Sequence, residues 1–271
     1  MNRQGPLSFF LVEVLGLVLL CCGTVSGANR FLLQETQCCT VTFENSFGRL
    51  GARPSSGDKQ EDVARGLQPL GLTSGEKDGW VFVPDGYSKD SPAALLLLLH
   101  GARKTAKEGL ESDFKKLREV ANQKGVILVA PDSRAESWDR IRFGEFGTDV
   151  AYIDVALGKA FDQYAVDSSH IGIAGFSDGA TYALSLGLTN GDLFTHIIAF
   201  SPGGLSPSRP VGRPKVFDAH GISDDILPID ATSRRIVPLL RNNGYDVTAV
   251  EFDAKHWIPE DIAQQAMDWF V

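Results

Sequence analysis

Short apolar runs alternate with amphipathic segments from residue 80 to the end of the chain. Runs of this length, rich in Val, Ile, Leu and Phe and closed by Pro or Gly, predict β-strands. They lie at residues 80–84, 95–99, 126–130, 171–175, 196–202, 215–221 and 247–252. The runs LLLLL and VILVA contain no polar position, which is typical of central strands buried on both faces.

Between these runs, apolar residues recur at helical spacing. Phe114, Leu117, Val120 and Ala121 share one helix face, and Gly125 stands where that helix would end. Other helices are predicted to open near residues 148–149 and to occupy 180–188, 231–243 and 261–270. Strands that alternate with helices predict βαβ crossovers, and therefore a mostly parallel central sheet with helices on both faces.

The first 27 residues have the pattern of a secretory signal peptide. Arg3 precedes an apolar run at residues 7–22, which only Glu13 interrupts, and small residues follow it. The run is shorter than the roughly 20 residues of a membrane-spanning helix, and a charge at its centre would be costly. We therefore predict cleavage near Gly27 or Ala28 and a secreted protein. An uncleaved signal anchor is the alternative; after cleavage no stable membrane span is expected.

The remaining chain divides into two parts by pattern. Residues 28–68 are irregular, polar and turn-rich between 52 and 62, and we interpret them as a lead-in with little core of its own. Residues 69–271 carry the alternating pattern and form one predicted domain. The four cysteines all precede residue 40, so a disulfide framework, a cysteine metal cluster and a catalytic cysteine are excluded from that domain.

Composition narrows the function classes further. Of 271 residues, 43% are hydrophobic and 22% are charged, which excludes a mainly disordered chain. The net charge is −8, whereas nucleic-acid partners favour a basic surface, so we expect no nucleic-acid partner.

The sequence GFSDG at residues 175–179 has the form G-x-S-x-G. It lies between a predicted strand and a predicted apolar helix, which is the context of a nucleophile elbow. Glycines are needed on both sides because the turn is sharp and larger side chains would clash. We therefore predict Ser177 as a nucleophile; a flexible serine-glycine loop is the alternative.

A serine hydroxyl needs a base, normally a histidine that a carboxylate orients. In this arrangement the order along the chain is serine, acid, histidine. Among the five histidines, His256 alone follows the last predicted strand in that order, and we predict it as the base. Asp224, in the loop after the next-but-one strand, is the predicted acid, and Asp225 is the main alternative. Asp218 and Asp253 are more remote candidates.

The same chemistry needs backbone N–H groups that bind the oxyanion. One is expected from Asp178, the residue after the nucleophile, and the other from the loop after an early strand. The sequence HGAR follows the strand at 95–99, and its Ala102 is the candidate second donor. An ordinary strand-ending turn is the alternative interpretation of that loop.

With these residues in place, the chain from Leu70 to Val271 resembles the α/β-hydrolase superfamily, and within it the phospholipase/carboxylesterase group of small serine esterases. The motifs that carry the resemblance are VFVPDGY, LLLLLHGA, VAPDSR, GFSDGATYALSLGLTNGDLF, AFSPG, HGISDDILP and FDAKHWIP. The resemblance implies hydrolysis of carboxylic esters through an acyl-enzyme, without metal or cofactor. It also implies a fold with little or no lid, and a small-molecule ester or lipid as substrate.

Two stretches depart from the pattern of that group. Arg103 and Lys104 follow HGA, where relatives often have glycines. These cations would narrow the site or favour an acidic substrate group. Ala254 and Lys255 precede His256, where relatives usually have a glycine pair, and a positive φ at Lys255 would strain the backbone.

The departures keep other functions open. A catalytically weak or inactive binding protein with the hydrolase fold is the alternative from another class. Among enzymes, thioesterase, lysophospholipase and polyester depolymerase activities use the same serine machinery.

Overall fold

The described part of the chain folds around one eight-stranded sheet. The computed structural model describes residues 47–57, 59, 63–73 and 77–271. The strands are β1 (Gly66–Pro69), β2 (Gly79–Val83), β3 (Ala93–Leu99), β4 (Ile127–Pro131), β5 (Val166–Phe176), β6 (His196–Phe200), β7 (Lys215–Gly221) and β8 (Val247–Phe252). The signal segment predicted at residues 1–27, its cleavage site and the four cysteines lie outside the described residues.

Helices connect most of the strands. They are α1 (Ala106–Glu111), α2 (Lys115–Lys124), α3 (Asp139–Phe143), α4 (Thr148–Gln163), α5 (Asp178–Thr189), α6 (Ser233–Asn242) and α7 (Glu260–Phe270), with a short 3-10 helix at Ile229–Ala231. Within the described ranges, no helix is long and apolar enough to cross a membrane.

The sheet order is β1-β2-β4-β3-β5-β6-β7-β8. β1 pairs antiparallel with β2, and β2 pairs antiparallel with β4, whereas every other pair is parallel. The seven predicted strands correspond to β2–β8, and the predicted mostly parallel sheet is confirmed. Because parallel strands share one direction, the loops after β3, β5, β7 and β8 all leave the sheet at the same edge.

The run of five leucines in β3 shows why the central strands contain no polar positions. Side chains alternate between the two faces of a strand. Leu95, Leu97 and Leu99 therefore pack in the core under α4, α5 and α6, while Leu96 and Leu98 pack in the core under α1, α2 and α7. All five are buried, and each contributes about 1.5–3 kcal/mol of hydrophobic stabilisation. Helices cover both faces of the sheet, as the sequence predicts.

The helix predicted from Phe114 onward is present as α2, although Phe114 itself caps it and a separate short helix, α1, precedes it. Gly125 ends α2 with φ 74°, and its N–H donates to the carbonyl of Ala121. A left-handed residue at this position satisfies a terminal carbonyl, and glycine adopts it without steric cost.

The lead-in differs from its expected irregular form. Gly66–Pro69 is the edge strand β1, so the domain boundary predicted after residue 68 lies inside a strand. Leu50 is buried in the main core, and its N–H donates to Oδ1 of Asn190 at 2.9 Å. Nδ2 of Asn190 donates to the carbonyl of Gly48 at 2.7 Å. The segment therefore docks on the domain through backbone contacts that no hydrophobic pattern reveals.

Asn190→Ala tests this docking. The variant leaves the buried N–H of Leu50 without its partner, and an unpaired buried donor costs about 1–3 kcal/mol. We expect the free energy of unfolding, measured with urea, to fall by about 2–3 kcal/mol. Asn243→Ala is the matched control, because Asn243 is exposed and, among the described residues, its side chain donates only to the carbonyl of Leu239. Equal free energies of unfolding for the two variants would contradict a stabilising contact between Asn190 and the segment at Leu50.

Candidate active site

Ser177 lies at the sharp turn between β5 and α5, with φ 56° and ψ −119°. This backbone conformation is costly for a residue with a side chain, and it persists only where the surrounding structure imposes it. The flanking glycines permit the turn. A Cβ on Gly175 would lie 2.2 Å from the backbone of Gly179, and a Cβ on Gly179 would lie 2.0 Å from the carbonyl oxygen of Leu99. GFSDG therefore occupies the strand–turn–helix context of a nucleophile elbow.

The structure brings Ser177, His256 and Asp224 together, although they are far apart along the chain. His256 follows β8, and its Nε2 lies 2.9 Å from Oγ of Ser177. Asp224 follows β7, and its Oδ2 lies 2.6 Å from Nδ1 of His256. Because a carboxylate only accepts hydrogen bonds, Nδ1 is the donor, which leaves Nε2 free to accept the proton of the serine hydroxyl.

The carboxylate of Asp224 is held in its ionised form. Burial alone would raise its pKa, but the hydrogen bond from His256 and the backbone N–H groups of Leu227 and Ile226 outweigh burial and lower it. Those two N–H groups donate to Oδ1 at 2.8 and 2.9 Å, so Oδ2 remains for His256. An ionised, fixed carboxylate is what orientation of an imidazole requires.

The other acid candidates lie elsewhere. Asp225 is exposed, and its Oδ2 binds Nζ of Lys255 at 2.8 Å. Asp253 is exposed in the loop after β8. Asp218 is buried within β7, and burial raises its pKa to about 7. Within the described part of the chain, the hydrogen bond between a carboxylate and His256 is made by Asp224.

The two backbone segments expected to bind an oxyanion lie beside the nucleophile. Asp178 is the first residue of α5, and N–H groups in the first turn of a helix have no partner within it. Gly101 approaches Ser177 so closely that a Cβ on Gly101 would lie 3.6 Å from the serine Cβ. Ala102 follows directly in that loop. The N–H groups of Ala102 and Asp178 as oxyanion donors remain a prediction.

His100 holds this loop in place, a role that was not predicted from the sequence. The N–H of Ser133 donates to Nε2 at 3.0 Å, so the ring proton is on Nδ1, which donates to the carbonyl of Gly101. The indole N–H of Trp138 donates to the carbonyl of His100 at 2.9 Å. Burial lowers the pKa of His100, which keeps the ring neutral. Its position directly after β3 is the sequence signal that could have indicated this function.

The sequence departs from the resembled group at three cations near the site, Arg103, Lys104 and Lys255. Nζ of Lys104 binds both oxygens of Asp113 at 2.7 Å, so this charge is paired. Arg103 is exposed and has φ 59°. Among described non-glycine residues, positive φ occurs only at Arg103, Ser177 and Ser201, so the strain considered for Lys255 is absent. Arg103 is thus exposed in the predicted oxyanion loop, and no ion pair joins it to another described residue.

Comparison with known proteins gives consistent likenesses. No protein-family model matches the chain. A probable feruloyl esterase C from Aspergillus oryzae is 28% identical over 204 residues, which cover 74% of this chain and 73% of the relative. Feruloyl esterase C from Emericella nidulans is 27% identical over 172 residues, 62% of each chain.

Solved structures agree with the fold. A CE1 ferulic acid esterase from Anaeromyces mucronatus, solved with ferulic acid, superposes with a TM-score of 0.58 at 20% identity, covering 79% of this chain and 92% of the other. An acetyl xylan esterase from Aspergillus awamori gives a TM-score of 0.55 at 14% identity, covering 75% of this chain and 98% of the other.

These names refine the resemblance seen in the motifs, because the similar sequences are feruloyl esterases, which the motifs did not single out. Within the described residues, no three His, Cys, Asp or Glu side chains form a group able to hold a metal ion. The sheet topology, the strained serine turn and the hydrogen-bonded serine, histidine and aspartate agree with these likenesses. The chain has the α/β-hydrolase fold and is similar to serine esterases named as feruloyl esterases.

Proposed function

We propose that this protein hydrolyses carboxylic esters through an acyl-enzyme formed on Ser177. The observation that carries the proposal is the continuous hydrogen-bonded chain from Asp224 through His256 to the hydroxyl of Ser177. A hydroxyl is a weak nucleophile near neutral pH, and a base within hydrogen-bond reach activates it. The distances of 2.6 and 2.9 Å are within that reach.

The position of the serine hydroxyl proton defines the steps of acylation and deacylation. Oγ of Ser177 attacks the ester carbonyl while Nε2 of His256 takes the hydroxyl proton. The tetrahedral intermediate then collapses, the bond to the leaving alcohol breaks, and Nε2 returns the proton to that alcohol. Water attacks the acyl-enzyme with the same base, which releases the acid and restores the serine. Asp224 stabilises the imidazolium of both steps without taking the proton.

Charge on the carbonyl oxygen develops near the start of α5. The N–H groups of Ala102 and Asp178 are the proposed donors to that oxyanion, and removal of one such donor typically costs about 10²–10³ in rate. The positive end of the dipole of α5 lies at Asp178 and adds to this stabilisation.

We also propose an aromatic acyl group of the feruloyl class as substrate. The similar sequences are feruloyl esterases by name. The acid loop and the histidine loop carry large apolar side chains in solvent: Ile222 is 47% exposed, Ile226 66% and Trp257 54%. An apolar rim beside the catalytic pair offers contact area to a planar aromatic ring. Secretion directed by residues 1–27 belongs to this proposal, because it exports the enzyme to substrates outside the cell.

Ser177→Ala tests the nucleophile. A fluorophosphonate should add one adduct to the folded wild type, as measured by intact mass, and none to the variant, because the attacking oxygen is absent. Hydrolysis of p-nitrophenyl acetate should fall at least about 10⁴-fold. Ser201→Ala is the matched control, since Ser201 also has positive φ, and it should still form the adduct. Equal hydrolysis by wild type and Ser177→Ala would favour a binding protein.

Asp224→Asn tests the acid against its neighbour. The amide donates where the carboxylate accepted, so the imidazole loses its favoured tautomer, and kcat should fall about 10⁴-fold with the fold intact. Asp225→Asn removes only an exposed ion pair with Lys255 and should change kcat less than about 2-fold. Steady-state kinetics with p-nitrophenyl acetate measure both variants. A large loss in Asp225→Asn alone would reverse the assignment.

Trp257→Ala tests the aromatic acyl group. Loss of an aromatic contact of about 0.5–1.5 kcal/mol should lower kcat/KM for methyl ferulate about 2- to 10-fold. The variant should leave hydrolysis of p-nitrophenyl acetate nearly unchanged, because an acetyl group offers no aromatic ring for Trp257 to contact. Leu239→Ala is the control, a comparably exposed apolar residue on α6. Equal loss on both esters would exclude a specific acyl contact.

A further inference from the structure

A fully buried histidine lies behind the catalytic carboxylate. His220 belongs to β7, and none of its side chain is exposed. Its Nε2 lies 3.2 Å from Oδ2 of Asp224, the same oxygen that accepts the hydrogen bond from His256. Oδ2 of Asp224 therefore lies close to two imidazole nitrogens, Nδ1 of His256 and Nε2 of His220.

The contacts of His220 define which nitrogen carries its proton. Nε2 lies 2.8 Å from the carbonyl oxygen of Leu227, and a carbonyl only accepts hydrogen bonds, so Nε2 is the donor. The same nitrogen lies 3.2 Å from Oδ2 of Asp224, so that oxygen is within reach of the N–H as a second, longer contact. Burial lowers the pKa of His220, which keeps the ring neutral and leaves Nδ1 as an acceptor. Oγ of Ser233 lies 2.8 Å from Nδ1 and donates to it.

The hydroxyl of Ser233 also faces Asp218. This carboxyl group lies two residues before His220 on β7, and two-residue spacing places both side chains on the same face of the strand. Burial, together with the nearby carboxylate of Glu251 on β8, raises the pKa of Asp218 to about 7, whereas donation of the Ser233 hydrogen to an ionised Asp218 would lower it. Below that pKa the carboxyl group is protonated and does not compete with His220 for the serine hydrogen. Arg234 and Arg241 of α6 line one cavity together with Asp218, His220 and Ser233.

We propose that His220 is a positioning residue for Asp224, and that Ser233 holds the His220 ring in the orientation this requires. The Nε2–H of His220 fixes the carboxylate between the backbone donors on one oxygen and the two imidazoles on the other. Without His220, the remaining imidazole contact of Oδ2 is the hydrogen bond from His256, and the Asp224 carboxylate gains rotational freedom. The inference rests on the proposed function for its kinetic consequence, but the geometry of the Asp224–His256 hydrogen bond can be measured independently of activity.

His220→Leu removes the donor, and His220→Gln retains it, because a glutamine amide nitrogen reaches the place of Nε2. We expect His220→Leu to lower kcat for p-nitrophenyl acetate about 10-fold, with KM unchanged, since an outer partner orients a group without contacting substrate. His220→Gln should recover most of this loss, and Ser233→Ala should give a smaller loss. His196→Leu is the matched control, a buried histidine at the start of β6, and it should leave kcat unchanged.

A spectroscopic measurement separates positioning from folding. The strongly deshielded proton of His256 Nδ1, recorded by NMR below pH 7, reports its hydrogen bond to Asp224. The signal should be present in wild type, His220→Gln and His196→Leu, and shifted or lost in His220→Leu, with thermal melting confirming that each variant is folded. An unchanged signal and kcat in His220→Leu would overturn the proposal. Failure of the proposed function would appear differently, as wild type with the expected signal and no ester hydrolysis.

Discussion

The strained backbone of Ser177 is the constraint on which the site depends. The φ of 56° at Ser177 is costly, and the close packing of β3, β5 and α5 around the turn maintains it. Gly179 lies directly against the carbonyl of Leu99, so a side chain there would separate the helix from β3. The same contact joins the nucleophile to the loop that follows β3, and therefore sets the distance between Ser177 and Ala102. Ser177 and the predicted oxyanion donors are thus positioned by one packing contact.

A second close approach sets the distance between acid and base. A Cβ on Gly221 would lie 2.4 Å from the carbonyl oxygen of Ala254, so the end of β7 touches the loop after β8. The ion pair between Lys255 and Asp225 spans the same two loops, but both side chains are exposed and an exposed pair contributes little. The separation of Asp224 and His256 is therefore fixed by backbone packing at Gly221 rather than by surface charge.

Sequence alone predicts the parts of the molecule that repeat a short pattern. β2–β8 and the order of Ser177, Asp224 and His256 follow from apolar runs and from the loops after them. β1 has four residues, too few to show alternation, and it becomes a strand only by pairing with β2. The docking of Leu50 on Asn190 joins residues 140 positions apart, which no local pattern encodes. The sequence favours Asp224 over Asp225 only through the form of the acid loop, because adjacent residues share the same local pattern; the structure distinguishes them by burial, since Asp224 is buried and Asp225 is exposed.

The chain uses the dipeptide His-Gly twice, after β3 and at the end of β7, and the two histidines have opposite tautomers. His100 donates from Nδ1 to its own loop and accepts at Nε2, whereas His220 donates from Nε2 to the carbonyl of Leu227, close to Asp224, and accepts at Nδ1. An imidazole suits both positions because one rigid ring supplies a donor and an acceptor on separate atoms. Burial lowers the pKa of both rings, so neither brings a charge near the ionised Asp224. A permanently charged donor in place of His220 would compete with the imidazolium of His256 for that carboxylate, so a neutral donor is the arrangement that orients the acid without weakening the base.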